Sequence, residues 1–175
     1  DMFELGCCRQ QSVHEEQHLK MFEEFKQNWE EAIPWIMNLK EWENFYDFLQ
    51  RIKDSRENKN LKPWYSPASL FFVVNEENRL VWWISIRHEL TGVLSQHWWH
   101  IWYGIRPSER KKWYASEALK LALEEAKKLN INPVMLTCKK ENIGSARTIM
   151  KNWWELECEY TREDKPNQKW WIKND

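Results

Sequence analysis

The sequence predicts an α/β protein, a mixed sheet flanked by helices, folded as a single domain over residues 1–175. Three observations carry this prediction. The 175 residues suit one domain with a full core, since domains run to about 100–200 residues. Apolar residues recur at helical spacing in some stretches and alternate, or run continuously, in others. Read in order, these stretches give β, α, α, β, β, β, α, β, α, β, β, an interleaving that places helices beside a sheet.

The first short strand is "MFELGCC", residues 2–8. Helical spacing of Leu19, Met21, Phe22 and Phe25 predicts a helix over 13–28. A second follows over 39–52, with Trp42, Phe45, Phe48, Leu49 and Ile52 on its apolar side. The polar stretch "KDSRENKNLKP" is a loop, after which the period changes. "SLFFVV" and "RLVWWISIR" flank the turn "NEEN" and read as a β-hairpin. A loop from Thr91 to Gln96 leads to a third strand, "HIWYGIR", which Pro107 stops.

The next helix runs from about Ser116 to Leu129, with Ala115, Leu119, Ala122, Leu123 and Ala126 in one stripe. "PVMLTC" is nearly continuous in apolar residues, as a strand covered on both faces would be. "IGSARTIMKN" makes a further helix, with Ile143, Ala146, Ile149 and Met150 on one side. In "WELECEY", Trp154, Leu156, Cys158 and Tyr160 alternate with Glu155, Glu157 and Glu159, the pattern of a half-exposed strand. "KWWIK" supplies the last one.

Charge and cysteine content narrow the function classes. With 26 Lys+Arg against 27 Asp+Glu the net charge is -1, so no global field favours nucleic acid or an anionic membrane, and neither is expected as a partner. Tryptophans among Lys and Arg could stack on single-stranded bases, but the charge balance and strand-buried Trp weigh against that. The apolar runs fall short of the roughly 20 residues that span a bilayer, and a cytoplasmic protein is expected. Cys7, Cys8, Cys138 and Cys158 have no zinc-ligand spacing, so free thiols and no metal are expected.

The stretch "GIRPSERKKWYASEALKLAL", residues 104–123, carries the chemistry. A strand that passes through a turn into a helix aims unpaired backbone N–H groups at one spot, and the helix dipole adds positive potential there. Such a spot binds anions. Arg110, Lys111 and Lys112 stand at that helix entrance, where cations oppose the dipole unless an anion is present, and together they suit a pyrophosphate. The same triplet, taken alone, also fits a solvated surface.

These residues resemble the acyl-CoA-binding motif of the GNAT superfamily of N-acetyltransferases, Arg/Gln-x-x-Gly-x-Gly/Ala before a long helix. Here it reads Arg110-Lys111-Lys112-Trp113-Tyr114-Ala115. "ENIGSARTIMKNWW" is similar to the family's second motif, with Asn142 and Ser145 in place. "ISIRH", "HIWYGIRPSERKKWYA" and "KWWIK" resemble a bacterial branch of uncharacterised acetyltransferases, and the resemblance covers nearly the whole chain.

The resemblance implies a central, mostly antiparallel twisted sheet with a V-shaped splay between two parallel strands, 101–106 and 134–138, where the thioester of acetyl-CoA lies. Backbone groups near Ile105 and Arg106 would pair with the pantetheine arm, and the amides from Lys111 to Ala115 would take the pyrophosphate. Asn142 and Ser145 would face the pantetheine, with Lys151 near the nucleotide. The co-substrate would be acetyl-CoA, the acceptor an amine, and the assembly a monomer or homodimer.

Acetyl transfer needs a neutral amine, a stabiliser for the oxyanion and a proton donor for the thiolate. The family often takes that donor from a tyrosine seven residues after the motif Asn, a position held here by Ile149. Tyr103 is the candidate replacement. His88 and His100, at the end of one strand and the start of the next, are candidate bases, since imidazole titrates near neutrality; either could instead be a packed strand-end histidine.

The chain has 14 Trp and 4 Gly, where average usage near 7% would give about 12 glycines. Tryptophan stands at family glycine positions at Trp113, Trp98, Trp99, Trp102 and Trp153, and in turn-like settings at Trp29, Trp35 and Trp64. The pattern reads as systematic glycine replacement, which an intact mass would check. At Trp113 an indole would obstruct the close approach of phosphate to backbone.

Overall fold

The computed structural model describes residues 2–4, 11–28, 39–59, 61, 65–90, 99–112, 114–152, 154–162 and 164–173. Its elements, in chain order, are β1 (Met2–Glu4), α1 (Gln11–Gln27), α2 (Phe45–Arg56), β2 (Ala68–Val74), β3 (Leu80–Arg87), β4 (Ile101–Ile105), a 3-10 turn (Pro107–Glu109), α3 (Tyr114–Lys128), β5 (Val134–Lys139), α4 (Ile143–Lys151), β6 (Glu155–Arg162) and β7 (Lys165–Ile172). This is the order read from periodicity, a mixed α/β fold. The strands form two sheets, β1-β2-β3-β4 and β5-β7-β6, with β1 antiparallel to β2 and β7 antiparallel to both β5 and β6.

The chain divides into two compact units, one of Asp1–Ser85 with Tyr103–Lys112, the other of Ile86–Trp102 with Trp113–Asp175. In the first, β2 is buried along its whole length and β3 nearly so, as their unbroken apolar runs require. Helix α1 buries His18, Met21 and Phe25, an i, i+3, i+7 stripe, while Leu19 lies off it and is exposed. Gln17 ties α1 to the β2–β3 hairpin, donating to the Asn78 carbonyl at 2.6 Å and accepting from the Leu80 N–H at 2.6 Å.

Helix α2 starts later than its periodicity suggests. The Asn44 side chain accepts from the Asp47 N–H at 2.9 Å and caps the helix there, so Trp42 falls in the preceding turn, 80% exposed instead of on the apolar side. Gly104 in β4 passes over the Trp83 indole, where an added Cβ would meet the ring at 2.5 Å.

In the second unit α3 buries Ala118, Leu119, Ala122 and Ala126, close to the expected stripe. Only Ile149 of the expected α4 stripe is buried; Ile143 and Met150 are exposed, because a nine-residue helix packs along one narrow line. Strand β6 is outermost in its sheet and is exposed over Glu155–Glu159 on both faces, with a register irregularity between Leu156 and Cys158 that breaks the alternation. Trp154, just before it, is buried. Cys138 and Cys158 are free thiols; Cys7 and Cys8 lie outside the described residues, as does the loop from Thr91 to Gln96.

Candidate active site

The strand-to-helix turn belongs to the first unit up to Lys112. β4 ends where the Arg106 N–H donates to the Val81 carbonyl at 2.8 Å, and Pro107, with its fixed φ, opens the 3-10 turn. The Glu109 N–H closes that turn on the Arg106 carbonyl at 2.8 Å. Arg106 was expected at the cofactor, but its side chain is buried and already committed: its Nε and Nη2 each reach Glu24 Oε1 at 2.7 Å, and its Nη1 donates to the Leu80 carbonyl at 3.1 Å. A buried guanidinium satisfied this way holds the turn, whereas the expected cofactor contact was one of backbone groups.

Glu24 has a second set of partners. Its Oε2 accepts from the Ser108 hydroxyl at 2.7 Å and the Ser108 N–H at 3.2 Å. Burial would raise the Glu24 carboxyl, yet the bonds from Ser108 and Arg106 outweigh it and hold the group below the usual carboxylate range. Glu109 is buried, its oxygens 3.0 Å from Arg79 Nε and 2.9 Å from Lys112 Nζ.

On this base Arg110, Lys111 and Lys112 are exposed to solvent. Arg110 donates from Nε to the Ile105 carbonyl at 3.2 Å and lies over the Phe25 ring at 5.8 Å. That bond uses one lone pair of the Ile105 carbonyl and leaves the other. Lys111 has φ 65, the left-handed region that favours glycine. Tyr103, in β4, is half-buried.

The second unit holds the other candidates. Tyr114 and Ala115 open α3 and are half-buried; Trp113, between turn and helix, lies outside the described residues, as do Trp98 and Trp153. Asn142 caps α4, its Oδ1 accepting from the Ser145 N–H at 3.0 Å. Asn152, at the other end of α4, donates to the Ser116 hydroxyl at 3.2 Å and ties the helix to α3. Ser145 is half-buried, and burial pushes up the Cys138 thiol. Lys151 is exposed in the last turn of α4, and Ile149 is fully buried.

His100 joins β4's entrance to β5. Its N–H donates to the Met135 carbonyl at 2.9 Å and its Nδ1 accepts from the Met135 N–H at 2.9 Å. A neutral ring accepting at Nδ1 carries its hydrogen on Nε2, so His100 in this state is a donor. Burial, and then the charge of Arg87, lower its pKa to about 4. Both features oppose the expected role of base. His88, just beyond β3, is half-buried.

Nearby, Arg87 and Arg162 lie over the Trp99 ring at 5.7 and 5.5 Å, and Trp99 meets Trp102 edge-on at 5.1 Å. Periodicity and motif spacing missed Glu24, Arg79, Ser108 and the carboxylate of Glu109. Glu24 lies 82 residues from Arg106, and no local pattern announces such a pairing.

The family model for the acetyltransferase (GNAT) domain matches residues 12–152, most of the chain. The chain belongs to the GNAT acetyltransferase family. Among solved structures it is similar to a spermidine N-acetyltransferase SpeG variant from Vibrio cholerae, at 14% identity and a TM-score of 0.65, over 99% of this chain and 95% of that one. The Vibrio cholerae spermidine N-acetyltransferase in complex with CoA and spermine has 15% identity and a TM-score of 0.63, over 99% and 95%. A dodecameric form of that enzyme in an intermediate state has 15% identity and a TM-score of 0.62, over 90% of each chain. At such identities these likenesses establish the GNAT fold. A search of curated proteins found no match. Among the described residues no helix is long and apolar enough to cross a membrane, and no group of three or more His, Cys, Asp or Glu could hold a metal ion.

Proposed function

We propose that this GNAT protein moves the acetyl group of acetyl-CoA to a primary amine of a small molecule or peptide, by direct attack in a ternary complex. The observation that carries the reading is the turn from Arg106 to Lys112: the buried carboxylate of Glu109 and the partly buried one of Glu24 fix its underside while three cations face solvent immediately before a helix. The reading assigns the diphosphate to Arg110, Lys111, Lys112 and the amides running into Tyr114 and Ala115. It assigns the pantetheine to Ile105, Asn142 and Ser145, and the nucleotide end to Lys151. The CoA- and spermine-bound state of the Vibrio cholerae enzyme supports an acyl-CoA and an amine as the substrate classes.

For the chemistry, His88 takes the role of base and Tyr103 that of acid to the departing thiolate. The amine loses its proton to His88 directly or through water, attacks the thioester carbonyl, and the carbon–sulfur bond breaks as the sulfur gains a proton. The hydrogen on His100 Nε2 suits a donor role toward developing negative charge. Adding acetyl-CoA and a panel of amines should release CoA thiol, and saturating acetyl-CoA should raise the melting temperature. No thermal shift at millimolar acetyl-CoA would overturn the reading.

Ile149, fully buried where the family often places its acid, favours one second reading. Under it the chain is a CoA-binding or interaction module without turnover. A thermal shift with no thiol release across the amine panel would select it, and robust turnover would reject it.

A further inference from the structure

A carboxylate from α1, 82 residues before Arg106, helps hold the turn in place. We infer that Glu24 is a positioning residue for the diphosphate of acetyl-CoA, an inference that rests on the turn being the CoA site. Both Glu24 oxygens are used, and each holds a different residue of the turn. Through Oε1 it takes two nitrogens of Arg106, the residue at which β4 ends. A guanidinium gripped at two nitrogens cannot rotate freely, so the strand end is fixed in direction as well as position. Through Oε2 it takes the N–H and hydroxyl of Ser108, the middle residue of the 3-10 turn.

From these two points the chain has little freedom before the anion-binding residues. The Glu109 N–H returns to the Arg106 carbonyl at 2.8 Å, and the Glu109 carboxylate holds Lys112 at 2.9 Å and Arg79 at 3.0 Å. Arg79 closes the set, donating from Nη2 to the Ser108 hydroxyl at 2.9 Å. An ion pair with one buried and one partly buried partner is weak evidence for stability, since apolar groups of the same volume often serve as well. What apolar groups cannot reproduce is the set of fixed bond directions. Amide donors must meet phosphate oxygens at hydrogen-bond distance, and a shift of about 1 Å in such a site can cost about a hundredfold.

The test compares CoA with pantetheine, which keeps the thiol-bearing arm and lacks the diphosphate, each by calorimetric Kd. Glu24→Gln should weaken CoA about tenfold and leave pantetheine within about twofold, because the diphosphate lies on the turn itself while the pantetheine arm runs along the strand before it, which the Arg106 N–H still pairs to Val81. A general loss of fold would weaken both ligands. Where Glu24→Gln folds poorly, Glu24→Leu combined with Arg106→Met removes both charges of the pair together; it should restore the melting temperature but not the CoA affinity. CoA affinity unchanged in Glu24→Gln, or regained in the double variant, would overturn the inference. Wild-type protein binding CoA no better than pantetheine would instead refute the diphosphate reading of the turn, and this inference with it.

Discussion

His18 sits on α1 with no exposed surface, its ring 4.8 Å from that of Phe48, 5.6 Å from Phe72, 5.9 Å from Phe45 and 6.0 Å from Phe22. Neither ring nitrogen has a hydrogen-bond partner among the described residues. Burial therefore lowers its pKa from 6.5 to about 4. The folded state binds this proton less readily than the unfolded chain, so stability is full above pH 6.5 and falls as the pH drops toward 4. At pH 5 the unfolded imidazole is almost fully protonated and the folded one is not, which costs about 2 kcal/mol. His100, lowered to about 4 by burial and Arg87, adds a loss of the same sign and about the same size. Urea unfolding followed by circular dichroism at pH 7.5 and pH 5 measures the sum. In His18→Leu the acid-induced loss should shrink by about half, with stability at pH 7.5 equal or higher, since two unsatisfied nitrogens are removed. Equal losses in variant and wild type would refute the burial argument.

Other outcomes follow from single sites. Trp113→Gly should tighten acetyl-CoA binding about tenfold by opening the backbone to phosphate, read by calorimetry; unchanged affinity would place the phosphates elsewhere. Asn142→Ala should cost about 1 kcal/mol in thermal stability through the lost cap on Ser145, and Asn142→Asp should recover most of it. Gly104→Ala should destabilise by about 1–3 kcal/mol, because its Cβ would stand 2.5 Å from the Trp83 indole; pairing it with a smaller residue at Trp83 should return part of the loss. The acetyl-CoA KM should rise with added salt, since the exposed cations of the turn are screened within about 10 Å at 0.1 M.

The order of elements was legible because each kept its own period over enough residues to stand out. Angular detail was less so. Leu19, Ile143 and Met150 satisfy helical spacing yet face solvent, because spacing defines a stripe without saying where its centre meets the neighbouring sheet. The late start of α2 was written in Asn44, a capping residue three positions before the Asp47 amide, and an apolar Trp42 masked it. The basic triplet of the turn was readable, being contiguous. The carboxylates beneath it were not: one comes from α1, and the other, Glu109, looks in sequence like any surface charge among Arg110 and Lys111. The geometry of His100 was equally hidden, since its partner Met135 lies 35 residues on and offers only its backbone.

Strand β6 forms the outer border of the β5-β7-β6 sheet. Glu155, Glu157 and Glu159 stud β6, with Glu157 held toward Lys169 and Glu159 toward Lys140. Were two molecules to line up along this rim, their acidic rows would face each other, and the strand's bulge would spoil the ladder between them. At cellular concentrations the rim thus shields an otherwise adhesive backbone from its own kind, while a lysine-rich extended segment would meet no such resistance.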